Sequence, residues 1–521
     1  MPAEKKRRWK GYLCCLIITA FLSGGCGRQE NIQEPVSQEP IIHFKGVILG
    51  TPPEGGMAEV YEQLDALTIP ELNCTLRFEF IPWGNEREQL NIAVASGEYD
   101  FLPGGVFSDY RLQASKNAFL DLNPYLELVP ELQAHYATYS ETALQDCEIA
   151  GGLYGIPQFG MGTIKDINEG FFYREDLRKE WGLPEITDLE SMEAYLYRAK
   201  EDVRYRDSPL ITDNRIWQSL WLMLTEGRYL EINSMQETPF VVVSAENPFQ
   251  VLNRLETPEF KQVVEYINKW RQDGILAADL LAATDNEGVR GKSMMMADDK
   301  PCETNMPDWK VASDWIPDFY DVHPDWEYGF FNYVSVNEEW YIGSLADSSV
   351  ISVSSKTQAP ETAVRLLEKI HTDQRYYDLL KYGVEGIHHK REGEYISMEG
   401  IPSSRQFGWS VCTDELLERE TVPVNLQWRE LEDKKLNVWK KEAAAEAKPY
   451  PLNGFSFLAG GLGQSLEGIN QAKLQYFQPL VCGYSEDAEQ GVEDTIEAMK
   501  AAGLDIYIEE MQRQITEWSN K

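Results

Sequence analysis

The chain has 521 residues, 43% of them hydrophobic, and a formal net charge of −37 at pH 7. That is enough apolar material for two or three domains with large cores. So acidic a surface repels nucleic acid and anionic membranes and suits neutral or cationic ligands better than polyanions.

The N-terminus reads first. A basic stretch (Lys5, Lys6, Arg7, Arg8, Lys10), an apolar run from Tyr12 to Leu22 and the small residues Ser23-Gly24-Gly25 have the layout of a secretory signal. The apolar run falls short of the roughly 20 residues that a bilayer span needs. Leu22-Ser23-Gly24-Gly25-Cys26 resembles a bacterial lipobox, with the leucine one place further from the cysteine than is usual. The resemblance implies cleavage before Cys26 and its diacylation, a stable anchor because each buried methylene adds about 0.8 kcal/mol. Residues 1–25 would leave with Cys14 and Cys15. They carry five Lys/Arg and one Glu, so the net charge of −37 becomes −41 in the remainder. Residues 26–40 are poor in large apolar side chains and read as a flexible tether.

Cys26, Cys74, Cys147, Cys302, Cys412 and Cys482 remain. With Cys26 lipidated, the other five are an odd, scattered set without a C-x-x-C pair. Neither zinc nor redox chemistry is signalled, and buried free thiols are expected.

From residue 41 onward the elements predicted are those of an α/β fold. Ile41–Leu49 is a β-rich run closed by the turn Gly50-Thr51-Pro52-Pro53-Glu54-Gly55-Gly56. A helix is expected near Met57–Leu67, a strand at Leu76–Ile81, a helix at Asn85–Ala95 and a strand at Tyr99–Leu102. Strand, helix, strand opens a mostly parallel sheet. Thr187-Asp188-Leu189-Glu190 has the pattern of a capping box. Thr257-Pro258 sets the start of a helix whose Phe260, Val264, Ile267 and Trp270 share one face, with Gly274 closing it. Val350–Ser354 is a strand, Pro360–Ile370 an amphipathic helix, and Glu486–Trp518 helical with a break at Gly503. Trp270, Trp439 and Trp518 lie on amphipathic helices and are core residues by default.

In this order the segments resemble the extracellular solute-binding proteins of carbohydrate ABC importers, family 1, in particular the large lipoproteins of Gram-positive bacteria. The stretches that carry the resemblance include Ala95-Ser96-Gly97-Glu98-Tyr99-Asp100, Gly152-Leu153-Tyr154-Gly155-Ile156-Pro157, Phe172-Tyr173-Arg174-Glu175-Asp176-Leu177, Tyr382-Gly383-Val384-Glu385-Gly386 and Asn453-Gly454-Phe455-Ser456-Phe457. The resemblance implies a two-lobe, periplasmic-binding-protein-like (type II) α/β fold with a hinge and an interlobe ligand cleft. Residues 41–162 and 348–410 would form the first lobe, and residues 163–347 and 411–521 the second. It further implies a monomer without enzymatic activity or cofactor, anchored by lipid on the outer face of the cytoplasmic membrane, where it passes a solute to permease subunits. A surplus of Trp and Tyr favours a carbohydrate as that solute, because these rings stack on sugars.

Ligand groups are expected on loops that follow the sheet strands. By the resemblance these are Glu54, Trp83, Asp109, Tyr110, Gln158 and Phe159 in the first lobe. In the second they are the i, i+4 pair Trp217 and Trp221, Trp340 and Tyr341, Trp409 beside Phe407, and Phe455 with Phe457. Two other readings stay open at this point. A surface glycan-binding or sensory protein would share the fold, and a glycoside hydrolase would need a carboxylate pair that no motif selects. Thr284–Gly288 matches only a fragment of a calcium loop and reads as a turn, and His388-His389 reads as a surface pair rather than a metal site.

Overall fold

The computed structural model describes residues 40–520 apart from 51, 53–54, 83–85, 106–107, 139–143, 158–162, 165–168, 233–238, 283–298, 308–322, 324, 344–348, 393–394, 398–441 and 444. Ile41–Lys521 forms one unit. The expected signal, Cys26, Thr284–Gly288, Cys412 and Trp439 lie outside the described residues. Among the described residues no helix is long and apolar enough to cross a membrane.

The first lobe is built from β1 (Ile42–Leu49), α1 (Met57–Leu72), β2 (Cys74–Ile81), α2 (Glu86–Ser96), β3 (Phe101–Gly105), α3 (Tyr110–Ser115), α4 (Pro130–Ala137) and β4 (Ile156–Pro157). Much later in the chain come β13 (Ser349–Val353), α9 (Pro360–Thr372) and α10 (Gln374–Tyr382). The sheet order is β2-β1-β3-β13-β4. β1 pairs in parallel with both β2 and β3, while β13 runs antiparallel to β3 and β4. The parallel strands follow from the helical crossovers between them.

Alternation along β1 commits its two faces to different cores. Phe44 and Ile48 pack with Val60 and Leu64 of α1, Leu367 and Ile370 of α9 and Leu380 of α10. Val47 packs on the opposite face with Leu90 and Val94 of α2 and with Ala114 of α3. Helices therefore cover both faces of the sheet, as a parallel sheet requires.

The second lobe centres on β6 (Glu169–Arg174), flanked by antiparallel β10 (Cys302–Pro307) and β11 (Tyr328–Asn332). Around it lie α5 (Glu175–Glu180), α6 (Leu189–Glu201), α7 (Ile216–Thr225), α8 (Pro258–Gln272) and the helices Gly463–Ala472, Ala488–Ala501 and Leu504–Ser519. A meander of β7 (Tyr229–Glu231), β8 (Val241–Ser244) and β9 (Val251–Asn253) completes it. One continuous core draws on Phe171–Tyr341 and Tyr450–Ile515.

Local chemistry explains the boundaries. The Thr257 hydroxyl accepts the Phe260 N–H at 3.3 Å and Pro258 occupies the first helical position. Gly503, at φ +102°, separates the last two helices. The capping box sits one residue later than the sequence pattern placed it. The Asp188 carboxylate accepts the Ser191 N–H at 2.8 Å, and the Ser191 hydroxyl accepts the Asp188 N–H at 3.1 Å. A carboxylate held by the positive helix N-terminus outcompetes the Thr187 hydroxyl, and those hydrogen bonds hold its pKa below the usual range. α1 runs five residues past its expected end, through Pro70, to a left-handed Asn73 whose N–H bonds to the Ile69 and Thr68 carbonyls.

A further small sheet links the lobes, in the order β16-β12-β5, from β5 (Thr163–Ile164), β12 (Tyr341–Gly343) and β16 (Lys448–Pro449). β5 follows β4 of the first sheet and β12 precedes β13 of that same sheet. Each time only residues 158–162 or 344–348 intervene. Two separate passages of the chain thus run between the lobes, with β16 paired beside them. The expected crossing points at 162/163, 347/348 and 410/411 fall within or beside residues outside the described set.

Cys74, Cys147, Cys302 and Cys482 are buried, as the sequence suggested, and none of them is in a disulfide. Burial pushes the Cys74 thiol up to about 12. The surface reading of His388-His389 is corrected, because both rings are buried beneath the turn that follows α10.

Candidate functional site

β1, β2, β3 and β4 all run in one direction, so their C-terminal ends share one edge of the first sheet. β13 enters the sheet from that same edge, arriving from the hinge strand β12. The edge that carries the loops after Leu49, Ile81, Gly105 and Pro157 is therefore the one turned toward the hinge, where open α/β sheets bind ligands. Glu54, Trp83, Gln158 and Phe159 belong to these connections but lie outside the described residues.

Asp109 follows β3 on this edge. Its Oδ1 lies 2.8 Å from Arg87 Nη1 and its Oδ2 accepts the Asn91 amide at 2.7 Å, both from α2. The Gln113 amide in turn donates to Asn91 at 3.3 Å. The Asp109 side chain remains 36% exposed. The result is a fixed carboxylate flanked by a guanidinium and two amides, a set that can accept from and donate to hydroxyls. Tyr110 turns the other way, buried against Phe119 with ring centroids 5.6 Å apart.

The second sheet has its own hinge-proximal end, where β6 begins at Glu169 beside Pro307 of β10, and Gly170 beside Asn332 of β11. Arg215, at the start of α7, is held there between Glu169 and Asp213, at 2.7 Å from each. Its side chain is 14% exposed. Burial alone lowers the arginine pKa, but the two carboxylates outweigh it and raise it. Burial also raises the Glu169 pKa, against the lowering effect of Arg215. Behind this group β10 bulges between Glu303 and Met306, where Asn305 adopts φ +57°. Its N–H donates to the Tyr333 hydroxyl at 3.1 Å and its side-chain oxygen accepts from Ser219.

In the hinge, Glu339 bonds both Lys448 and, at 3.0 Å, the Tyr341 hydroxyl. The Lys448 and Tyr341 bonds lower the Glu339 pKa. Burial and the neighbouring carboxylate push Tyr341 up to about 12. A crevice of about 30 Å³ lies between Gly227, Glu231 and Trp340. It has room for about two waters, not for a sugar ring.

A family profile described as a domain of unknown function (DUF3502) matches residues 451–520. A Streptococcus pneumoniae protein named carbohydrate ABC transporter substrate-binding protein is 20% identical over 98% of this chain and 99% of its own length. This chain is therefore similar, over nearly its whole length, to a protein of that name. Among solved structures, the N-glycan transport solute binding protein NgtS of Streptococcus pneumoniae is similar with a TM-score of 0.67 and 16% identity, over 92% of this chain and 100% of that one. A human-milk-oligosaccharide (HMO) binding solute-binding protein of Bifidobacterium longum infantis matches with a TM-score of 0.60 and 14% identity, over 92% and 99%. These likenesses establish the two-lobe, type II solute-binding-protein fold.

Against this solute-binding-protein frame the nominated residues separate. Asp109 lies on the hinge-facing edge of the first lobe, and Trp340 and Tyr341 at the hinge itself. Trp217 and Trp221 are 6% and 1% exposed and stand inside the second core, where both rings face the Arg254 guanidinium at 5.9 and 4.6 Å. Phe455 is buried against Trp518 and Phe457 against Tyr507. Phe407 and Trp409 lie outside the described residues. Leu458, next to these phenylalanines, packs against the first-lobe core of Val47 and Leu90, while Gln514 holds its N–H and carbonyl at 2.9 and 2.8 Å. It is a contact between lobes that no local pattern marks. Arg215, Glu169 and Arg87 join the candidates only from the structure, because in a chain with 85 acidic and 48 basic residues single ion-pair members carry no local signal.

Proposed function

We propose that this protein captures an oligosaccharide in the cleft between its lobes and delivers it to the permease of an ABC importer. The observation that carries the reading is the shared edge of β1 to β4 turned toward a three-stranded hinge, in a chain whose full-length relative bears the name of a carbohydrate transporter subunit. Asp109, Arg87 and Asn91 form one wall of the cleft. In this reading Glu54, Trp83, Gln158 and Phe159 are further sugar contacts, and Arg215 with Glu169 and Asp213 is the contribution of the second lobe. Each described cluster pairs its guanidinium with at least as many carboxylates, which suits neutral hydroxyls better than a polyanionic sugar. Closure about the hinge follows from the ligand's greater affinity for the closed state. Cys26 carries the lipid anchor, residues 26–40 the tether, and the protein binds its solute without transforming it.

The test is thermal unfolding of residues 41–521 against mono- and oligosaccharides, with peptides as controls. A sugar at 100 times its Kd adds about 2.7 kcal/mol of stability, and chromatography should return it unaltered. A cleaved sugar would make the protein a hydrolase, and a stabilising peptide would end the carbohydrate reading.

Asp109→Ala should weaken binding of that sugar about tenfold or more, since hydrogen bonds to a charged group contribute about 1.5–3 kcal/mol. Its melting point should move little, because the Arg87 pair is exposed and such pairs add about 0–1 kcal/mol. Isothermal titration checks it, and wild-type affinity would remove Asp109 from the site.

A further inference from the structure

We propose that His388 is a positioning residue for the sugar site: its imidazole ties the β1–α1 loop, the first of the cleft loops, to the turn that follows α10. The inference rests on the carbohydrate-capture reading.

His388 is fully buried and spends both ring nitrogens on backbone. The Val384 N–H lies 2.9 Å from Nδ1. A backbone N–H can only donate, so Nδ1 is the acceptor and the ring proton sits on Nε2. Nε2 then donates to the Gly55 carbonyl at 3.0 Å, across 333 residues of sequence. Gly55 and Gly56 close the β1–α1 connection, and the Gly56 carbonyl accepts the Val60 N–H at 3.0 Å that begins α1. The imidazole therefore holds the loop at the point where it enters the helix.

The surroundings are shaped to the ring. A Cβ on Gly56 would stand 2.3 Å from the imidazole, and one on Gly383 2.6 Å from it. Both glycines have positive φ, +82° and +74°, which other residues adopt only at a cost. The turn is braced in its own right. The Gly386 N–H donates to the His389 carbonyl at 2.7 Å, and His389 Nδ1 contacts the Tyr382 carbonyl at 3.1 Å. Tyr376, Tyr377 and Leu380 root α10 in the first-lobe core. A hydrophobic side chain would fill the volume as well as histidine does. A ring that bonds backbone on both sides instead joins a ligand-facing loop to a rigid element, the arrangement that keeps a binding site preorganised.

Two variants split the ring's two bonds. In His388→Asn the amide oxygen can replace Nδ1 as acceptor for Val384, but the side chain is too short to reach Gly55. In His388→Gln the amide nitrogen can reach Gly55 in place of Nε2. Titration of the full mature chain with the sugar that stabilises the wild type should give a Kd within about threefold of wild type for His388→Gln. His388→Asn should bind about tenfold more weakly, the equivalent of one hydrogen bond, with similar melting points for the two. Equal affinities in both variants, or losses that merely track melting temperature, would overturn the assignment.

Hydrogen exchange on the unaltered chain tests it without substitution. Saturating sugar should slow exchange in segments 55–60 and 383–389 together, and an unchanged 383–389 segment in a sugar-loaded protein refutes the tie. If the wild type binds no sugar, the capture reading fails first and the assignment with it, a result distinct from a sugar-binding wild type whose variants behave alike.

Discussion

Arg254→Leu should destabilise the protein by about 3–5 kcal/mol, and adding Glu231→Leu to it should recover most of the loss. Arg254 opens the turn after β9 and is 0% exposed, and its guanidinium pairs with Glu231 at the end of β7. Trp221 covers it at 4.6 Å and Trp217 at 5.9 Å, which adds cation–π attraction in a desolvated place. Among the described residues Arg254 Nε and Nη1 have no hydrogen-bond partner, so the pair does not fully offset the desolvation of its charges. Removing the cation alone takes from the buried Glu231 carboxylate the guanidinium it is paired with. Removing both leaves apolar side chains among tryptophans, which is why the double variant regains stability. Urea unfolding followed by tryptophan fluorescence measures both, with an unchanged slope confirming that the midpoint reports stability. A single variant within about 1 kcal/mol of wild type would refute the argument. At temperatures where the single variant stays folded, its sugar affinity should match wild type, because the two tryptophans stand inside the second core and not on the cleft.

The same pair shows what a sequence reveals and what it hides. Spacing placed Trp217 and Trp221 on one helix face, and that was correct. A four-residue spacing fits a core stripe as well as a ligand contact, and what holds this face inward, the partner Arg254, is brought by a β-meander that periodicity does not predict. β1, β2, α8 and α9 were legible because alternation, a Thr-Pro cap and amphipathic spacing are written within each segment. The hinge was not, because β5 and β16 are two residues each and acquire meaning only by pairing with β12. Asp109 was nominated because it lies just beyond a strand. Its orienting partners Arg87 and Asn91 were not, because they lie on the preceding helix and are defined only once α2 packs beside α3. His388 was misread for the same reason, since its acceptor Gly55 lies at the other end of the lobe's sequence.

Acid should weaken the first lobe through His371. This imidazole is buried near the end of α9, and its Nδ1 lies 2.7 Å from the Leu367 carbonyl. A carbonyl only accepts, so Nδ1 carries the proton, and Nε2 is a buried nitrogen without a partner among the described residues. Burial, with a smaller contribution from His135, lowers the pKa from 6.5 to about 4, against the raising effect of the Leu367 carbonyl. The Tyr136 ring, 6.3 Å away, closes one side of the pocket, and Glu368 nearby is engaged by the Glu131 and Leu132 N–H groups. The folded-state value is the depressed one. The unfolded chain therefore binds the extra proton first, and stability is fully present above pH 6.5. It is lost as pH falls from 6.5 to about 4, and below that both states are protonated and nothing further is lost from this group. A shift of this size corresponds to about 3 kcal/mol. Many carboxylates titrate in the same range, so the measurement is a difference. The stability of wild type minus that of His371→Gln, from urea midpoints at pH 7 and pH 4, should change by about 3 kcal/mol to the disadvantage of the wild type at pH 4. A difference that does not vary with pH would mean that the ring is not held neutral by burial, and the acid sensitivity of the lobe would have to reside in its carboxylates.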